Sequence, residues 1–481
     1  MGEGILDLRH LIAGEWRKSE ARQPRFNPSD TDETVARAPI GVLADLEDAV
    51  SAARAAFPSW AAASPEVRAD CLDRIGSTLL SRAPMLGRLL SREEGKTLAE
   101  GIGEVSRAAR IFKYFAGEAL RRHGQNLDSV RPGVEIQTYR QAVGVIGLIT
   151  PWNFPIAIPA WKSAPALAFG NAVVMKPASL TPAIAVALAE IMVESGVPSG
   201  VFNLVIGPGS IGDALVRHPG IDGVSFTGSQ SVGLQVASAA AARQARFQLE
   251  MGGKNPLVIL DDADLDRAVA VAIDGAFFGT GQRCTASSRL IVAEGVHDKF
   301  IAAMAERMRN LRVGHALSAD TQIGPAASQA QQEQSYAFIA RAQGEGGVLV
   351  AGGARITRDH PGWYVEPALI GETAMEMEIN RLEVFGPVAS VIRVKDYDEA
   401  LATANAGDFG LSAGIVTSSL KFARHFQKAV RAGMVMTNLP TAGVDYHVPF
   451  GGMGRSSFGA REQGFAAIEF YTQTKTAYSY A

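Results

Sequence analysis

Apolar residues change their spacing along the chain, and each spacing predicts a different kind of element. From Asp45 to about Arg122 they recur at helical intervals, which predicts successive amphipathic helices, and Pro58 is expected to end the first of them. Residues 126–143 alternate between apolar and polar instead, which predicts two strands. The tail EFYTQTKTAYSY also has the character of a strand but lacks a partner of its own. We expect it to pair with the strands at 126–143 or with another subunit.

Short apolar runs alternate with helical stretches after these strands. Thr181 is expected to cap one of the helices, whose first residue is Pro182. Strands alternating with helices at this spacing predict a doubly wound parallel sheet, which binds nucleotides at the carboxyl ends of its strands. The alternation starts again after Gly253 and predicts a second α/β domain. The runs predicted as strands of the first sheet are VGVIGLIT, AVVMKPA, FNLVIG, GVSFTG and RFQLEMGG.

Composition places the chain among ordinary soluble globular proteins, with 47% apolar and 20% charged residues in a length of 481. The net charge is 46 minus 49, or −3, and no basic run occurs, so neither nucleic acid nor a membrane surface is expected as a partner. The longest apolar tract, from Ala142 to Trp161, is interrupted by prolines, so no membrane span is predicted. The first residues lack a sustained apolar segment, so no signal peptide is predicted and a cytoplasmic location is expected. No metal site is predicted.

One of the two cysteines lies in a stretch of small residues, FFGTGQRCTASSR. Cys284 there follows Arg283, and Gly279 and Gly281 suit a loop that presents a side chain to a reactant. A thiolate is a strong nucleophile, and a positive neighbour favours it, but a buried structural thiol is an equally good interpretation of this stretch alone. Cys71 lies in an amphipathic helical pattern and is predicted to belong to the core.

Several polar residues follow the ends of the predicted strands. Asn153 comes after the first strand, Lys176 and Ser179 after the second, and Glu250 ends the fifth. Each alone has an ordinary interpretation, as a turn asparagine, a lysine facing solvent or phosphate, a helix-entry serine, and a glutamate on the sheet rim. The glycines at 207–209 and 228 do not have the spacing of the usual dinucleotide fingerprint.

Taken together, the segments TPWNFP, KPASLTP, FTGSQSVG, LEMGGKNP, GQRCTASS and LEVFGP resemble, in this order, the aldehyde dehydrogenase superfamily. The resemblance covers essentially the whole chain. It implies an α/β fold with a Rossmann-type cofactor domain, an α/β catalytic domain and a β element that bridges subunits into a homodimer or homotetramer. The implied bounds are 1–125 and 147–252 for the cofactor domain, 253–450 for the catalytic domain, and 126–146 with 465–481 for the oligomerisation sheet.

The resemblance also implies a role for each residue. Cys284 would attack the carbon of a small-molecule aldehyde, while the Asn153 side chain and the Cys284 backbone N–H hold the resulting oxyanion. Glu250 would activate the water that hydrolyses the thioester to a carboxylic acid. Lys176 belongs with Cys284, Asn153 and Glu250 to the implied catalytic residues, and it would hold ribose oxygens or a 2′-phosphate. The implied cofactor site comprises Ile149, Thr150, Trp152, Lys176, Ser179, Gly209, Gly212, Phe226, Ser229, Val232, Met251, Glu383 and Phe385, of which Ser229 would bind the pyrophosphate and Glu383 the nicotinamide ribose.

Ser179 bears on the choice of cofactor. NAD-preferring relatives often have a glutamate at this place, whereas serine removes a charge that would repel a 2′-phosphate. In this respect the chain is similar to the NADP-using succinate-semialdehyde dehydrogenases. We therefore expect NADP to be preferred and NAD to be accepted.

The substrate is expected to be a semialdehyde that bears a carboxylate. Arg283 would pair with that carboxylate, or would instead fix the loop or lower the thiol pKa, and Trp161 and Phe450 would form an aromatic wall. The segments REEGKTLAEGIGEV and NLPTAGVDYHVPFGGMGRSSFGAREQG resemble most the bacterial α-ketoglutaric semialdehyde (2,5-dioxovalerate) dehydrogenases. Succinate semialdehyde and a broad range of aldehydes remain alternatives. A coenzyme A-acylating relative or a non-catalytic binding protein is disfavoured because Cys284 and Glu250 are both present.

Overall fold

Two large sheets with helices packed against them make up most of the structure, a computed structural model that describes residues 4–121 and 124–480. The strands are β1 (Leu6–Asp7), β2 (His10–Ile12), β3 (Glu15–Arg17), β4 (Arg22–Asn27), β5 (Asp30–Pro39), β6 (Asn126–Asp128), β7 (Val134–Ala142), β8 (Val145–Ile149), β9 (Ala172–Lys176), β10 (Phe202–Leu204), β11 (Gly223–Thr227), β12 (Arg246–Glu250), β13 (Asn255–Ile259), β14 (Ser287–Ala293), β15 (Val348–Gly352), β16 (Ala368–Gly371), β17 (Val388–Val394), β18 (Phe409–Gly410), β19 (Ser412–Val416), β20 (Met434–Thr437), β21 (Met453–Gly454), β22 (Ser457–Phe458) and β23 (Thr472–Tyr480).

The helices cover both faces of the large sheets. They are α1 (Leu43–Ala62), α2 (Pro65–Ser81), α3 (Ala83–Glu94), α4 (Leu98–Ala119), α5 (Ala157–Ala168), α6 (Pro182–Glu194), α7 (Gly209–Arg217), α8 (Gln230–Ala242), α9 (Leu265–Phe277), α10 (Glu294–Arg309), α11 (Gln329–Gly344), α12 (Glu378–Arg381), α13 (Tyr397–Asn405), α14 (Leu420–Ala429) and α15 (Ile468–Tyr471), with 3₁₀ turns at Phe278–Gly281 and Gly464–Ala467. In the described part of the chain, none of these helices is long and apolar enough to cross a membrane.

The first large sheet has the order β22-β12-β11-β8-β9-β10-β2-β3. The five strands predicted from the sequence are neighbours in the order β12-β11-β8-β9-β10, and they run parallel to one another. Strands β8 and β9 are buried along nearly their whole length. Both faces of a parallel sheet are covered by helices, which is why these strands read as continuous apolar runs. The second large sheet has the order β15-β16-β17-β14-β13-β19-β20 and is parallel except for β15. The predicted α/β fold with its doubly wound parallel sheet is confirmed.

The tail forms the long strand β23, which pairs antiparallel with β7 in a sheet of order β23-β7-β6. The predicted pairing with the strands at 126–143 is confirmed. The first large sheet also includes β22, which lies between the proposed catalytic domain (253–450) and the second part of the proposed oligomerisation sheet (465–481). The second large sheet is built from residues 255–437. The domain bounds proposed from the sequence stay a prediction.

Three local features differ from the prediction. Pro58 does not end α1, which continues to Ala62, and Trp60 in its last turn is buried with its indole N–H donating to the Leu167 carbonyl. Packing of that last turn outweighs the backbone bond that Pro58 removes. Thr181 takes the N-cap place of α6 without a side-chain bond; the buried Glu93 carboxylate accepts the N–H groups of the first turn instead. Helix α11 was not predicted, because its segment is mostly polar.

Candidate active site

The loop that carries Cys284 is held in a tight conformation between α9 and β14. Gly279, Thr280 and Gly281 all have positive φ, at 61°, 55° and 63°. A Cβ at Gly281 would collide with the Gly386 backbone, so this glycine allows a close approach that another residue would prevent. Cys284 is half-buried and lines a cavity together with residues that follow the carboxyl ends of β8, β11 and β12 in the first large sheet.

Two cavities meet at Cys284, one on each side of it. The first has the side chains of Trp161 and Phe450 in its wall, and the second has those of Trp152 and Glu383. Cys284 and Asn153 line both cavities. The structure therefore places the thiol and the carboxamide between a site for one small molecule and a site for a second.

Asn153 follows β8 and is buried beside the Cys284 loop. Its amide nitrogen donates to the Gln282 carbonyl at 2.9 Å, which fixes the side chain and leaves a second N–H for another acceptor. The Lys96 ammonium donates to the Asn153 carbonyl at 2.8 Å, so the backbone is fixed as well. This arrangement is suited to binding an oxyanion that develops next to the sulfur.

Glu250 ends β12 and is only 2% exposed. Its carboxylate accepts a hydrogen bond from the Ser457 hydroxyl. Burial, and next the negative charge of Glu462, raise the Glu250 pKa well above its usual value. The shift acts toward the protonated acid, and the group must be deprotonated before it accepts a proton from water.

A buried polar network lies behind Glu250. The Lys162 ammonium donates to Ser225 Oγ at 2.7 Å and to the Glu462 carboxylate, and both charged side chains are almost wholly buried. Glu462 and Ser457 have no signal in the sequence, because they come from a segment after the catalytic loop that returns to pair with β12. No motif in the sequence links that segment to Glu250.

The thiol is less acidic than the sequence suggested. Burial, then the charges of Glu383 and Glu250, raise the Cys284 pKa to about 12, although the N–H groups of Cys284 and Thr285 act in the opposite direction. The net shift is upward because burial and two carboxylates dominate, and a lowering contribution from Arg283 stays a prediction. Cys71 is buried within α2, as predicted.

Arg283 is held by the helix that precedes its loop. Its guanidinium donates to the carbonyls of Asp274 and Gly275 and lies 3.5 Å from the Asp274 carboxylate. These contacts agree with the loop-fixing alternative. Binding of a substrate carboxylate by Arg283 stays a prediction.

The second cavity contains several of the residues assigned to the cofactor. Ser229 and Met251 line it together with Phe385, whose ring packs edge-on against Trp152 at 5.3 Å. Glu383 accepts the Gly253 N–H at 3.0 Å, and burial raises its pKa to about 7. A buried hydroxyl in the same wall, that of Thr227, has no hydrogen-bond partner in the described part of the chain.

Lys176 lies apart from that cavity, at the carboxyl end of β9. A methyl group on Gly212 would be 3.6 Å from the Lys176 side chain and 3.7 Å from that of Ile149, so these three residues form one cluster. Lys176 is 8% exposed, and burial and the charge of Arg25 lower its pKa to about 8. No carboxylate pairs with it among the residues described by the structure. A buried cation with no protein counter-ion fits an anionic ligand.

The other assigned residues surround this cluster and the second cavity. Ser179 donates its hydroxyl to the Gly207 carbonyl at 2.9 Å, and Gly209 begins α7. Thr150 is buried, and its hydroxyl has no hydrogen-bond partner among the residues at 4–121 and 124–480. Phe226 lies against Gly228, and Val232 is exposed on α8, so neither is brought to the wall of the second cavity.

Comparisons with known proteins agree with this geometry. Residues 16–477 match the model of the aldehyde dehydrogenase family. The chain is 41% identical over 474 residues to the alpha-ketoglutaric semialdehyde dehydrogenase of Bacillus subtilis (strain 168), with 98% of this chain and 97% of that protein covered. It is 43% identical over 476 residues to the alpha-ketoglutarate semialdehyde dehydrogenase of Haloferax volcanii, with 98% of each covered.

The solved structures give the same result. The structure matches that of betaine aldehyde dehydrogenase from Staphylococcus aureus in complex with NAD+, with a TM-score of 0.96 and 34% identity. The match covers 99% of this chain and 95% of that one. These findings confirm the resemblance found in the sequence, and the chain belongs to the aldehyde dehydrogenase family.

Proposed function

We propose that the protein oxidises α-ketoglutaric semialdehyde (2,5-dioxovalerate) to 2-oxoglutarate, with a nicotinamide cofactor as the hydride acceptor. The observation that carries this proposal is the meeting of two cavities at Cys284 and Asn153. One cavity has room for an aldehyde and the other for the nicotinamide. The substrate is proposed from the names of the relatives that match nearly the whole chain.

The reaction follows from the groups around the sulfur. The Cys284 thiol gives its proton to water in the cavity as the sulfur forms a bond to the aldehyde carbon, and the oxyanion accepts hydrogen bonds from the Asn153 amide and the Cys284 N–H. The cofactor supplies the hydride acceptor when it is bound, and a thioester on Cys284 remains. Glu250 then takes a proton from water, whose oxygen adds to the thioester carbon. The carbon–sulfur bond breaks to release the carboxylic acid, and the leaving sulfur takes the proton held by Glu250.

The substrate assignment is tested by initial rates on purified protein. We expect kcat/KM to be highest for 2,5-dioxovalerate, lower for succinate semialdehyde and lowest for pentanal, because the last has no carboxylate. Reduced cofactor and released acid are measured without coenzyme A. A lead for succinate semialdehyde would replace the substrate, and a lead for pentanal would indicate a broad-range enzyme. A requirement for coenzyme A would overturn the hydrolytic reaction.

We further propose that NADP is the preferred cofactor and NAD a second one. Lys176 and the charge of Arg25 near it make this region positive, and Ser179 adds no negative charge. The excess positive charge favours a ligand that carries an extra phosphate.

Ser179→Glu tests this preference. A carboxylate at this position would repel a 2′-phosphate and accept hydrogen bonds from ribose hydroxyls, so we expect kcat/KM with NADP to fall about tenfold or more while that with NAD stays level or rises. Ser179→Ala is the matched control, because it removes the hydroxyl without adding charge. Higher kcat/KM with NAD than with NADP in the unmodified protein would contradict the preference.

We propose that the protein works in the cytoplasm as a homodimer or homotetramer. Strand β23 is an edge strand of nine residues, and most of its side chains are exposed, Tyr480 by 78%. A long edge strand offers unpaired N–H and carbonyl groups to a second strand. A second copy of this sheet would supply that strand.

A further inference from the structure

Three donors in the wall of the first cavity have no acceptor in the described part of the chain. They are Nε of Arg107, in the middle of α4, the indole N–H of Trp161, on α5, and Nε of Arg283. All three atoms are inaccessible to solvent. A buried donor that lacks a partner is destabilising, and such donors in a binding cavity indicate a missing ligand.

The other charged side chains around this cavity already have partners. Glu104 accepts from Lys96 and from the N–H groups at the start of α5. Glu100 accepts from Thr97 and from the Gly279 N–H. Arg283 also has an unpaired Nε, but its terminal nitrogens are directed to Asp274 and Gly275.

Arg107 differs from these groups. Its single hydrogen bond in the described residues is to Gln463 Oε1, at a long 3.3 Å, and its guanidinium lies 5.8 Å from the centre of the Trp161 ring. No carboxylate of the described residues lies within ion-pair distance of it. Burial lowers its pKa, while the charges of Glu104, Asp445 and a Cys284 thiolate raise it, so Arg107 and the sulfur act on each other. A desolvated guanidinium without a counter-ion favours binding of an anion.

Trp161 is held in position for a similar contact. The side chain is 5% exposed, and its ring lies 5.5 Å from that of Phe450 at an angle of 32°. Arg107 and Phe450 both pack against the ring system. Trp161 therefore lines the cavity with a fixed ring and an unpaired indole N–H, next to a planar group with several N–H donors.

We propose that Arg107 and Trp161 together bind the 2-oxo acid end of the substrate. The guanidinium takes the carboxylate, since its fork of donors matches two oxygens, and the indole N–H takes the 2-oxo oxygen. The aldehyde at the other end of the five-carbon chain then lies at Cys284. This assignment rests on the proposed oxidation of 2,5-dioxovalerate and names the residues that would make the cavity selective for it.

The test uses three substrates that differ by one group at a time: 2,5-dioxovalerate, 5-oxopentanoate, which lacks the 2-oxo group, and pentanal, which also lacks the carboxylate. For Arg107→Met we expect kcat/KM to fall about 100-fold for both acids, mainly through KM, and to change little for pentanal. Arg107→Lys should recover part of the loss, because it restores charge but not the fork. For Trp161→Phe we expect about a tenfold loss for 2,5-dioxovalerate and little for 5-oxopentanoate.

Arg283→Met is the matched control, because Arg283 is a second arginine in the same wall. We expect it to lower rates for all three substrates by similar factors through the catalytic loop. Turnover of pentanal shows that each variant is folded. Equal losses on all three substrates in Arg107→Met, or a loss confined to the acids in Arg283→Met, would overturn the assignment. If the unmodified protein does not favour 2,5-dioxovalerate over pentanal, the proposed function itself fails.

Discussion

Cys284→Ser is expected to abolish oxidation, with kcat reduced by a factor on the order of 10⁴ or more. A serine hydroxyl is a much weaker nucleophile than a thiol, and in the described part of the chain the Glu250 carboxylate bonds to Ser457 rather than to residue 284, so no paired base activates the serine. Steady-state formation of reduced cofactor measures the loss. Cofactor affinity, measured by titration calorimetry, should stay close to that of the unmodified protein, because serine nearly preserves the shape of the site.

Cys71→Ser is the matched control for this variant. Cys71 is 2% exposed among the apolar residues of α2 and lines neither of the two cavities that meet at Cys284. A hydroxyl there lowers stability through burial of a polar group, but kcat should remain near that of the unmodified protein. A similar loss of kcat in both variants would contradict the assignment of Cys284 as the nucleophile.

The sequence predicted the meeting of Asn153, Glu250 and Cys284 only in part. Asn153 and Glu250 each follow a buried apolar run, and the carboxyl ends of neighbouring parallel strands lie at one edge of a sheet. The position of Cys284 at that edge depends on packing between the two large sheets, which no periodicity in the chain encodes. For this residue the resemblance of whole segments carried information that local patterns did not.

Other parts of the site could not be predicted for a related physical reason. The position of Arg107 in the helical pattern of α4 is typical of a residue that faces solvent. It lines a cavity because α4 packs on α5, which the sequence pattern does not show. Glu462 is 300 residues from Lys162 along the chain, yet the two form a buried ion pair. The sign of the Cys284 pKa shift also depends on burial, which arises from tertiary contacts, whereas the sequence displays only the adjacent Arg283.

Glu250→Gln is expected to separate the two halves of the reaction. Glutamine keeps an oxygen that accepts the Ser457 hydroxyl but accepts no proton from water, so hydrolysis of the thioester should slow by about 10² to 10⁴-fold while acylation of Cys284 continues. Stopped-flow absorbance should then show a burst of about one reduced cofactor per active site, followed by a slow steady state. Intact mass should show the acyl group on the protein, and peptide mapping should place it at Cys284.

The dependence on pH gives an independent test of the same residue. Because Glu250 must be deprotonated to act and its pKa is raised, steady-state rates of the unmodified protein should fall as pH decreases through that raised pKa. The negative charge of Glu462 contributes to this shift, so Glu462→Gln should move the acidic limb of the profile to lower pH, whereas Glu250→Gln should remove that limb. A low steady-state rate without a burst would place the loss in acylation rather than in hydrolysis. An unchanged profile in Glu250→Gln would mean that another group causes the acidic limb. Glu250 would then not be the base that activates water.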